Sequence, residues 1–169
     1  TECYRLITEQ GVEAFNDYRR TLGFDRLDLS HLDFSGRDLT GINLSNADLT
    51  GCNFDHTYLS EARLIMADLI GCTALEADFY MADLAEASLA KSVLPHANFA
   101  SANLEDADLS DIVAPGAVFR DADLTRVQFK QANLKDTDFT EAILNGANLS
   151  QSFLEWAVFE RATHNEQTQ

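Results

Sequence analysis

The sequence predicts an all-β solenoid, in which short extended segments wind four to a coil beneath a helical N-terminal cap. Two periodicities favour this class. A Leu or Phe recurs every fifth residue from Leu29 to Phe159, with Ala74 and Ala114 as the two exceptions. A 20-residue spacing separates the members of the series Phe79, Phe99, Phe119, Phe139 and Phe159. A period of five fits neither the 3.6 of a helix nor the 2 of a strand, and 20 residues are four fives.

Residues 1–23 predict the cap. Helical spacing on one face is shared by Val12, Phe15, Tyr18 and Leu22. Gly11 weakens a helix that runs through it and Gly23 is a natural stop, so we expect the main helix over about 12–21. A stacked β-solenoid has open edges at both ends, which pair with other chains unless they are covered. The cap is therefore expected to cover the first coil.

Residues 24–160 predict a solenoid of about seven coils, roughly 32 Å tall at one β layer per coil. Each Leu or Phe centre follows a small residue and then an Asp or Asn, as in Ala47, Asp48 and Leu49. Within the repeats, glycine stands only two residues after a centre, which predicts a corner with positive φ. The series Phe79, Phe99, Phe119, Phe139 and Phe159 predicts one column of stacked rings in the core. Proline removes a ladder donor, so Pro95 and Pro115 predict a local bulge.

The last coil carries apolar residues where the repeat has polar or corner residues: Phe153, Trp156 and Val158. Residues 161–169 are polar and are predicted to form a disordered tail. Two interpretations stay open at this end. The three apolar side chains either fold over their own coil, or a second copy covers them and forms a weak homodimer through the C-terminal coil.

Composition excludes several classes of function. The net charge of −16 argues against direct nucleic-acid binding, which needs Lys and Arg against phosphates, and against binding to an anionic membrane. A hydrophobic content of 46% argues against disorder, and no apolar window is long enough to span a membrane. Three cysteines do not make a disulfide framework, so we expect a cytoplasmic protein, although a cleaved targeting peptide would leave no trace.

No arrangement of residues predicts catalysis, a cofactor or a metal site. The histidines fall at corners or in the tail: His31, His56, His96 and His164. No Ser or Cys has a base at a defined spacing, and no glycine-rich phosphate loop occurs. Cys52 and Cys72 fall one layer apart, within disulfide reach of the backbone. Parallel side chains rarely meet the disulfide dihedral, so we expect two small core residues.

Two sets of outward residues are candidate interaction surfaces. One is an acidic edge at 20-residue spacing, interrupted by Ser88: Asp28, Asp48, Asp68 and Asp108. The other is an apolar girdle directly after four successive centres: Ile65, Ile70, Leu75 and Tyr80. The girdle is either a partner site or a scatter of ordinary surface residues. The acidic edge is either a solvated face or a recognition surface.

The repeat follows the pattern A-(D/N)-L-x-x almost without interruption, for example in ANLEDADLSD and ANLKDTDFTEAILNGANL. This resembles the pentapeptide-repeat family over residues 24 to about 160. The resemblance implies a right-handed quadrilateral β-helix. The segment GVEAFNDYR also resembles the leader that precedes the repeats in many cyanobacterial members.

These observations predict a non-catalytic structural or protein–protein interaction module whose partner is unknown. The resemblance implies an alternative, an acidic DNA mimic that acts on DNA gyrase. The repeats carry roughly one net negative charge per 2.1 Å, close to the ~1.7 Å of duplex DNA. Against mimicry, the acids lie on all faces, and gyrase-directed relatives tend to carry a C-terminal dimerising helix or protruding loops. An unbroken five-residue phase leaves no room for such a loop.

Overall fold

A computed structural model describes residues 2–23 and 25–169; Thr1 and Phe24, where the predicted cap and solenoid begin, lie outside the described residues. The cap consists of helix α1 (Glu2–Arg5), a π-helical segment (Leu6–Gln10) and helix α2 (Gly11–Leu22). It starts earlier than the expected 12–21. Ile7 is buried, and Tyr4 and Leu6 pack against the core, so tertiary contacts stabilise turns that the spacing of apolar residues did not indicate.

The rest of the chain is a β-solenoid with a register of 20 residues. Parallel bridges join each outward residue to the one 20 positions later, from Asp28↔Asp48 to Ile143↔Thr163. This is the register that the phenylalanine series predicts. Over residues 25–169 the pairing consists of isolated bridges with no longer strand, because two of every five residues form a corner.

Each pentapeptide has a fixed division of its backbone hydrogen bonds. In the middle coils, four of the five N–H groups reach backbone carbonyls of the next coil, the previous coil or the preceding turn. The exception is the N–H of the residue after the centre. Every Asp or Asn that precedes a centre accepts this bond through Oδ1, as Asp123 does from Thr125 N at 3.0 Å. The recurring Asp/Asn position is therefore an Asx turn with a structural task.

Corners show the positive φ that glycine predicts, and they show it throughout. Every fifth residue from His31 to Arg161 has φ between +52° and +71°, whether or not it is glycine. The ladder imposes this conformation, because the corner N–H is a ladder donor: His31 N bonds Thr50 O at 2.8 Å. Glycine relieves the corner strain but is not required for it.

The interior holds a column of stacked phenylalanine rings. Successive centroids from Phe79 to Phe159 lie 4.7, 4.9, 5.4 and 4.9 Å apart, with interplanar angles of 8° or less. The ring of Phe129 meets Phe119 and Phe139 edge-to-face. Phe159 differs from the other four: it stacks on Phe139 but is 39% exposed, because no further ring covers it.

Cys52 and Cys72 are free thiols buried in the small inward position. Each donates to a carbonyl of the previous coil, Cys52 Sγ to Leu29 O at 3.0 Å and Cys72 Sγ to Leu49 O at 3.1 Å. Ser92 continues the column with the same bond, to Leu69 O at 2.8 Å. Burial raises the pKa of Cys52 to about 11 and that of Cys72 to about 12.

The expected bulge at Pro95 and Pro115 does not occur. The bridge series runs through this face without interruption, and Leu94 N bonds Val113 O at 2.7 Å. Both prolines stand directly after a centre, at the one position whose N–H takes no part in the ladder. The residue that would otherwise cap this N–H is Val93 or Val113, which has no acceptor. Proline thus removes a donor that nothing would satisfy.

The cap closes the first coil through polar side chains as well as apolar ones. Asn16 accepts from Asn43 N at 2.8 Å and donates to Gly41 O at 3.0 Å. Arg19 donates to Ser45 O at 2.7 Å. Phe15 is fully buried on the same side of α2, where the expected Tyr18 is only half-buried. The cap therefore supplies partners that a preceding coil would otherwise give the edge.

Residues 161–169 are ordered, which differs from the predicted disordered tail. Thr163 forms the last bridge, with Ile143. Thr168 Oγ1 donates to Leu144 O at 2.8 Å, and Leu149 N donates to Gln169 O at 2.8 Å. Polar composition suggested fraying, but these polar groups satisfy the edge of the coil beneath them.

Candidate interaction surfaces

The acidic edge lies in one column, since the bridges Asp28↔Asp48, Asp48↔Asp68, Asp68↔Ser88 and Ser88↔Asp108 are consecutive. These carboxylates are not free. Each caps the N–H two residues later, and Arg26 lies 3.2 Å from Asp48 and 3.4 Å from Asp68. The hydroxyl and N–H of Ser30 lower the pKa of Asp28. Structural hydrogen bonds and an arginine thus occupy much of this edge.

Arginines also pair with acids elsewhere on the solenoid. Arg126 Nε lies 2.7 Å from Asp106 Oδ1, and its Nη2 contacts Glu105; the guanidinium lowers the pKa of Asp106. Arg120 lies 3.1 Å from Asp138. The negative field is therefore interrupted in the later coils, as the sequence indicates.

The girdle does not form one patch. Ile65, Ile70, Leu75 and Tyr80 stand on four different faces of one coil, because each lies one pentapeptide after the last. Ile70 and Tyr80 are exposed, whereas Ile65 and Leu75 are half-buried. Met66 and Met81 stand exposed at neighbouring corners. Of these residues, Leu75 alone lies on a face whose outward positions stay apolar in the following coils.

That face, called the apolar face here, consists of Leu75, Val93, Pro95, Val113 and Pro115. Val93 and Val113 are bridge partners and are 42% and 40% exposed. The outward positions of this face carry no charge from Thr73 to Asn133. The other three faces have charged outward residues over the same coils. Writing the sequence in rows of 20 reveals this column, which an analysis by single pentapeptides does not.

The C-terminal end carries the most exposed aromatic residues. Phe153 is 67% exposed and Trp156 is 68% exposed, and Val158 is exposed beside them. Lys135 Nζ lies 4.3 Å from the centre of the Trp156 ring and 3.3 Å from Glu155. Phe153 also lines an open cleft of about 530 Å³ together with Asn133 and Lys135.

The same end presents an unpaired β edge. Within the described residues, no group accepts a hydrogen bond from four backbone N–H donors of the last coil: Leu154, Trp156, Phe159 and Arg161. In earlier coils the equivalent N–H groups bond the coil that follows, as Leu134 N bonds Phe153 O at 2.9 Å. Of the two readings left open by the sequence, the aromatic side chains do not fold over their own coil.

Metal-binding and membrane-spanning features were sought in the described part of the chain. Residues 2–23 and 25–169 contain no group of three or more His, Cys, Asp or Glu side chains that could hold a metal ion. None of the helices described is long and apolar enough to cross a membrane.

Comparison with known proteins places this solenoid in a family. Models described as pentapeptide repeats match residues 28–64, 38–73 and 122–161, and a model of a pentapeptide repeat region matches residues 66–139. These matches span most of the chain. The chain therefore belongs to the pentapeptide-repeat family. A search of curated proteins found no match.

Several solved structures are similar to this chain. HetL from the cyanobacterium Nostoc, a pentapeptide repeat protein involved in heterocyst differentiation regulation, is 27% identical; the match covers 87% of this chain and 92% of that chain, with a TM-score of 0.30. Rfr23 from the cyanobacterium Cyanothece is 19% identical over 90% and 95%, with a TM-score of 0.26. QnrB1, a plasmid-mediated fluoroquinolone resistance protein, is 16% identical over 84% and 92%, with a TM-score of 0.43.

Proposed function

We propose that this chain is a non-catalytic module for protein–protein interaction, with no cofactor and no direct binding to nucleic acid or membranes. The observation that carries this proposal is the placement of exposed apolar side chains. The interior is filled by Leu, Phe and small residues, and the apolar surface concentrates on the apolar face and at the C-terminal end. Concentrated apolar surface on a rigid scaffold is typical of partner sites.

Finer features belong to the same proposal. The solenoid is right-handed and has about seven coils, as the family resemblance and the 20-residue register favour. The chain works in the cytoplasm, where its three cysteines stay free thiols.

A photo-crosslinking amino acid, placed once on each face, tests the interaction module. Suitable outward positions are Ser110, Val113, Ala100 and Ala85, one per face. We expect a discrete crosslinked protein in extracts of the source organism, abolished by excess unlabelled chain and found from one or two positions only. Equal smearing from all four positions, or no crosslink from any, would contradict the proposal.

The C-terminal end supports a second part of the proposal, a weak homodimer. Trp156 and Phe159 combine exposed rings with unpaired N–H groups, so a second copy related by a two-fold axis can cover both. The helical cap covers the opposite end, and pairing therefore stops at two copies. The net charge of −16 opposes association and keeps it weak.

Sedimentation velocity over a tenfold range above micromolar concentration tests the homodimer. We expect a concentration-dependent shift for the wild type, and none for the Phe153→Asp, Trp156→Ser double variant. A wild type that stays monomeric throughout shows that the aromatic end does not pair.

The acidic DNA mimic acting on DNA gyrase remains a second candidate, favoured by a charge density close to that of duplex DNA. Gyrase supercoiling assays with micromolar protein test it. The matched control replaces the acidic edge by Asn at Asp28, Asp48, Asp68 and Asp108. Asn keeps each Asx bond and removes four charges. Inhibition or protection that the control lacks supports mimicry, and no effect of the wild type excludes it.

A further inference from the structure

The apolar face differs from the other three faces in a way that concerns water as well as hydrophobicity. At Val93–Pro95 and again at Val113–Pro115, an aliphatic residue replaces the Asx acceptor and a proline removes the N–H that it would cap. A polar pair has been exchanged for an apolar pair twice, in adjacent coils. In the coil before, Leu75 N donates to Asp55 Oδ1 at 2.8 Å and is also satisfied.

The apolar face therefore has no backbone donor that needs water. Burying an unpaired N–H costs free energy, so a surface without one is suited to close, dry contact. Scattered surface valines explain the exposed side chains but not the coupled change to proline. The coupled change indicates that this face is covered by another molecule.

The backbone of the apolar face also restricts what covers it. Its N–H and C=O groups are paired within the ladder, since Val93 N bonds Cys72 O at 2.9 Å and Leu94 N bonds Val113 O at 2.7 Å. A partner that binds by adding a β-strand needs a free edge, and none exists here. The partner must bring its own satisfied backbone, and an α-helix does so.

Dimensions and charge agree with a helix. The five layers from Thr73 to Phe153 span about 19 Å, which matches about 13 helical residues, and the ~5.4 Å helical pitch is close to the ~4.8 Å layer spacing. The stripe ends at the open cleft beside Phe153. Acids border it on both sides, Asp111 at one corner and Glu76 and Asp136 at the other, with Lys91 as the one basic residue between Gly71 and Gln131.

We propose that the apolar face binds an amphipathic α-helix of a partner protein, with aliphatic residues against Val93, Pro95, Val113 and Pro115 and with Lys or Arg on its flanks. This rests on the interaction module proposed above and names the partner's chemistry. Charge complementarity selects a basic partner helix over a second copy of this acidic chain.

The probe is a fluorescein-labelled 16-residue helical peptide with Leu at i, i+3, i+4 and i+7 and Lys on both flanks. A second peptide with Ala in place of Leu has the same charge. Fluorescence anisotropy in 150 mM salt measures binding to the full chain. We expect the Leu peptide to bind at least tenfold more tightly than the Ala peptide.

Val93→Asp tests the face, and Val118→Asp is its matched control. Both replace a valine before a centre by the commonest residue of that position, and both add one negative charge, but Val118 lies on another face. We expect Val93→Asp to weaken Leu-peptide binding at least tenfold and Val118→Asp to change it less than twofold. Charge attraction alone has the opposite sign, because an added acid strengthens binding of a basic peptide.

Three outcomes overturn the helix proposal: no preference for the Leu peptide, equal effects of the two substitutions, or a wild-type dimer that Val93→Asp alone converts to a monomer. The last result assigns the face to a second copy. The interaction module itself is judged separately, because crosslinks from Ser110, Ala100 or Ala85 support it even when Val113 gives none.

Discussion

The imidazole ring of His96 occupies the space that a side chain on Gly116 would need. Its Nδ1 atom lies 2.5 Å from the ideal position of a Cβ atom on Gly116, and His31 has the same relation to Gly51. The two residues are corners of adjacent coils, 20 positions apart. Glycine is thus required at this corner by the neighbouring ring, whereas most other corners adopt positive φ without it.

Gly116→Ala is expected to destabilise the chain more than Gly71→Ala. Both positions have similar φ, +68° and +67°, but nothing lies within 4 Å of a Cβ on Gly71. The common conformational cost is about 1 kcal/mol, and displacing His96 adds about 1 kcal/mol at Gly116. Urea unfolding measures both variants. In a His96→Ala background the extra cost should vanish; if it persists, the ring is not its cause.

Phe119→Ala is expected to cost about 3–5 kcal/mol, because this ring has stacked neighbours on both sides and an edge-to-face neighbour in Phe129. Phe159→Ala is the control from the exposed end of the column and should cost about 1–2 kcal/mol. The urea midpoints measure the difference. Equal midpoints for the two variants would mean that the column does not determine stability.

Asn16→Ala is expected to cost about 1–3 kcal/mol, since it removes the partners of Asn43 N and Gly41 O at the edge of the first coil. Glu13→Ala, at an exposed position of the same helix, should stay within about 0.5 kcal/mol of the wild type. Thermal unfolding compares them. An unstable Glu13→Ala variant would show that helix propensity, and not edge pairing, controls the cap.

Removal of residues 1–23 is expected to cause aggregation, because it exposes the edge of the first coil. Light scattering after size-exclusion chromatography measures this against the full chain. A monodisperse truncated protein with an unchanged melting temperature shows that the cap is dispensable for covering the edge.

Alkaline pH is expected to destabilise the chain through Cys72. A buried thiol with a pKa raised to about 12 stabilises the fold fully below the unfolded thiol pKa of about 8.5. That stability is lost as pH rises from about 8.5 toward 12, by at most about 1.4 kcal/mol per pH unit. Cys72→Ser keeps a donor to Leu49 O, as Ser92 does in its own coil, and should flatten this slope. Identical slopes would exclude the thiol.

The five-residue and 20-residue periods predict the β-solenoid register because each column is written directly in the sequence. The cap interface is not written there: Arg19 is buried through bonds to carbonyls of Asp25 and Ser45, and a spacing of apolar residues selects Tyr18 instead. Pro95 was misjudged for a related reason. The general rule that proline breaks a ladder does not say which N–H the ladder leaves out.

The 20-residue register also constrains how such a chain can change in length. Duplication of 20 residues inserts a whole coil and returns every later residue to its own column, so Phe119 still follows a phenylalanine. Duplication of five residues turns everything beyond it by one face. The apolar face would then be split, with Val113 above a different column from Val93. Length variation that keeps a side-face partner is therefore restricted to whole coils.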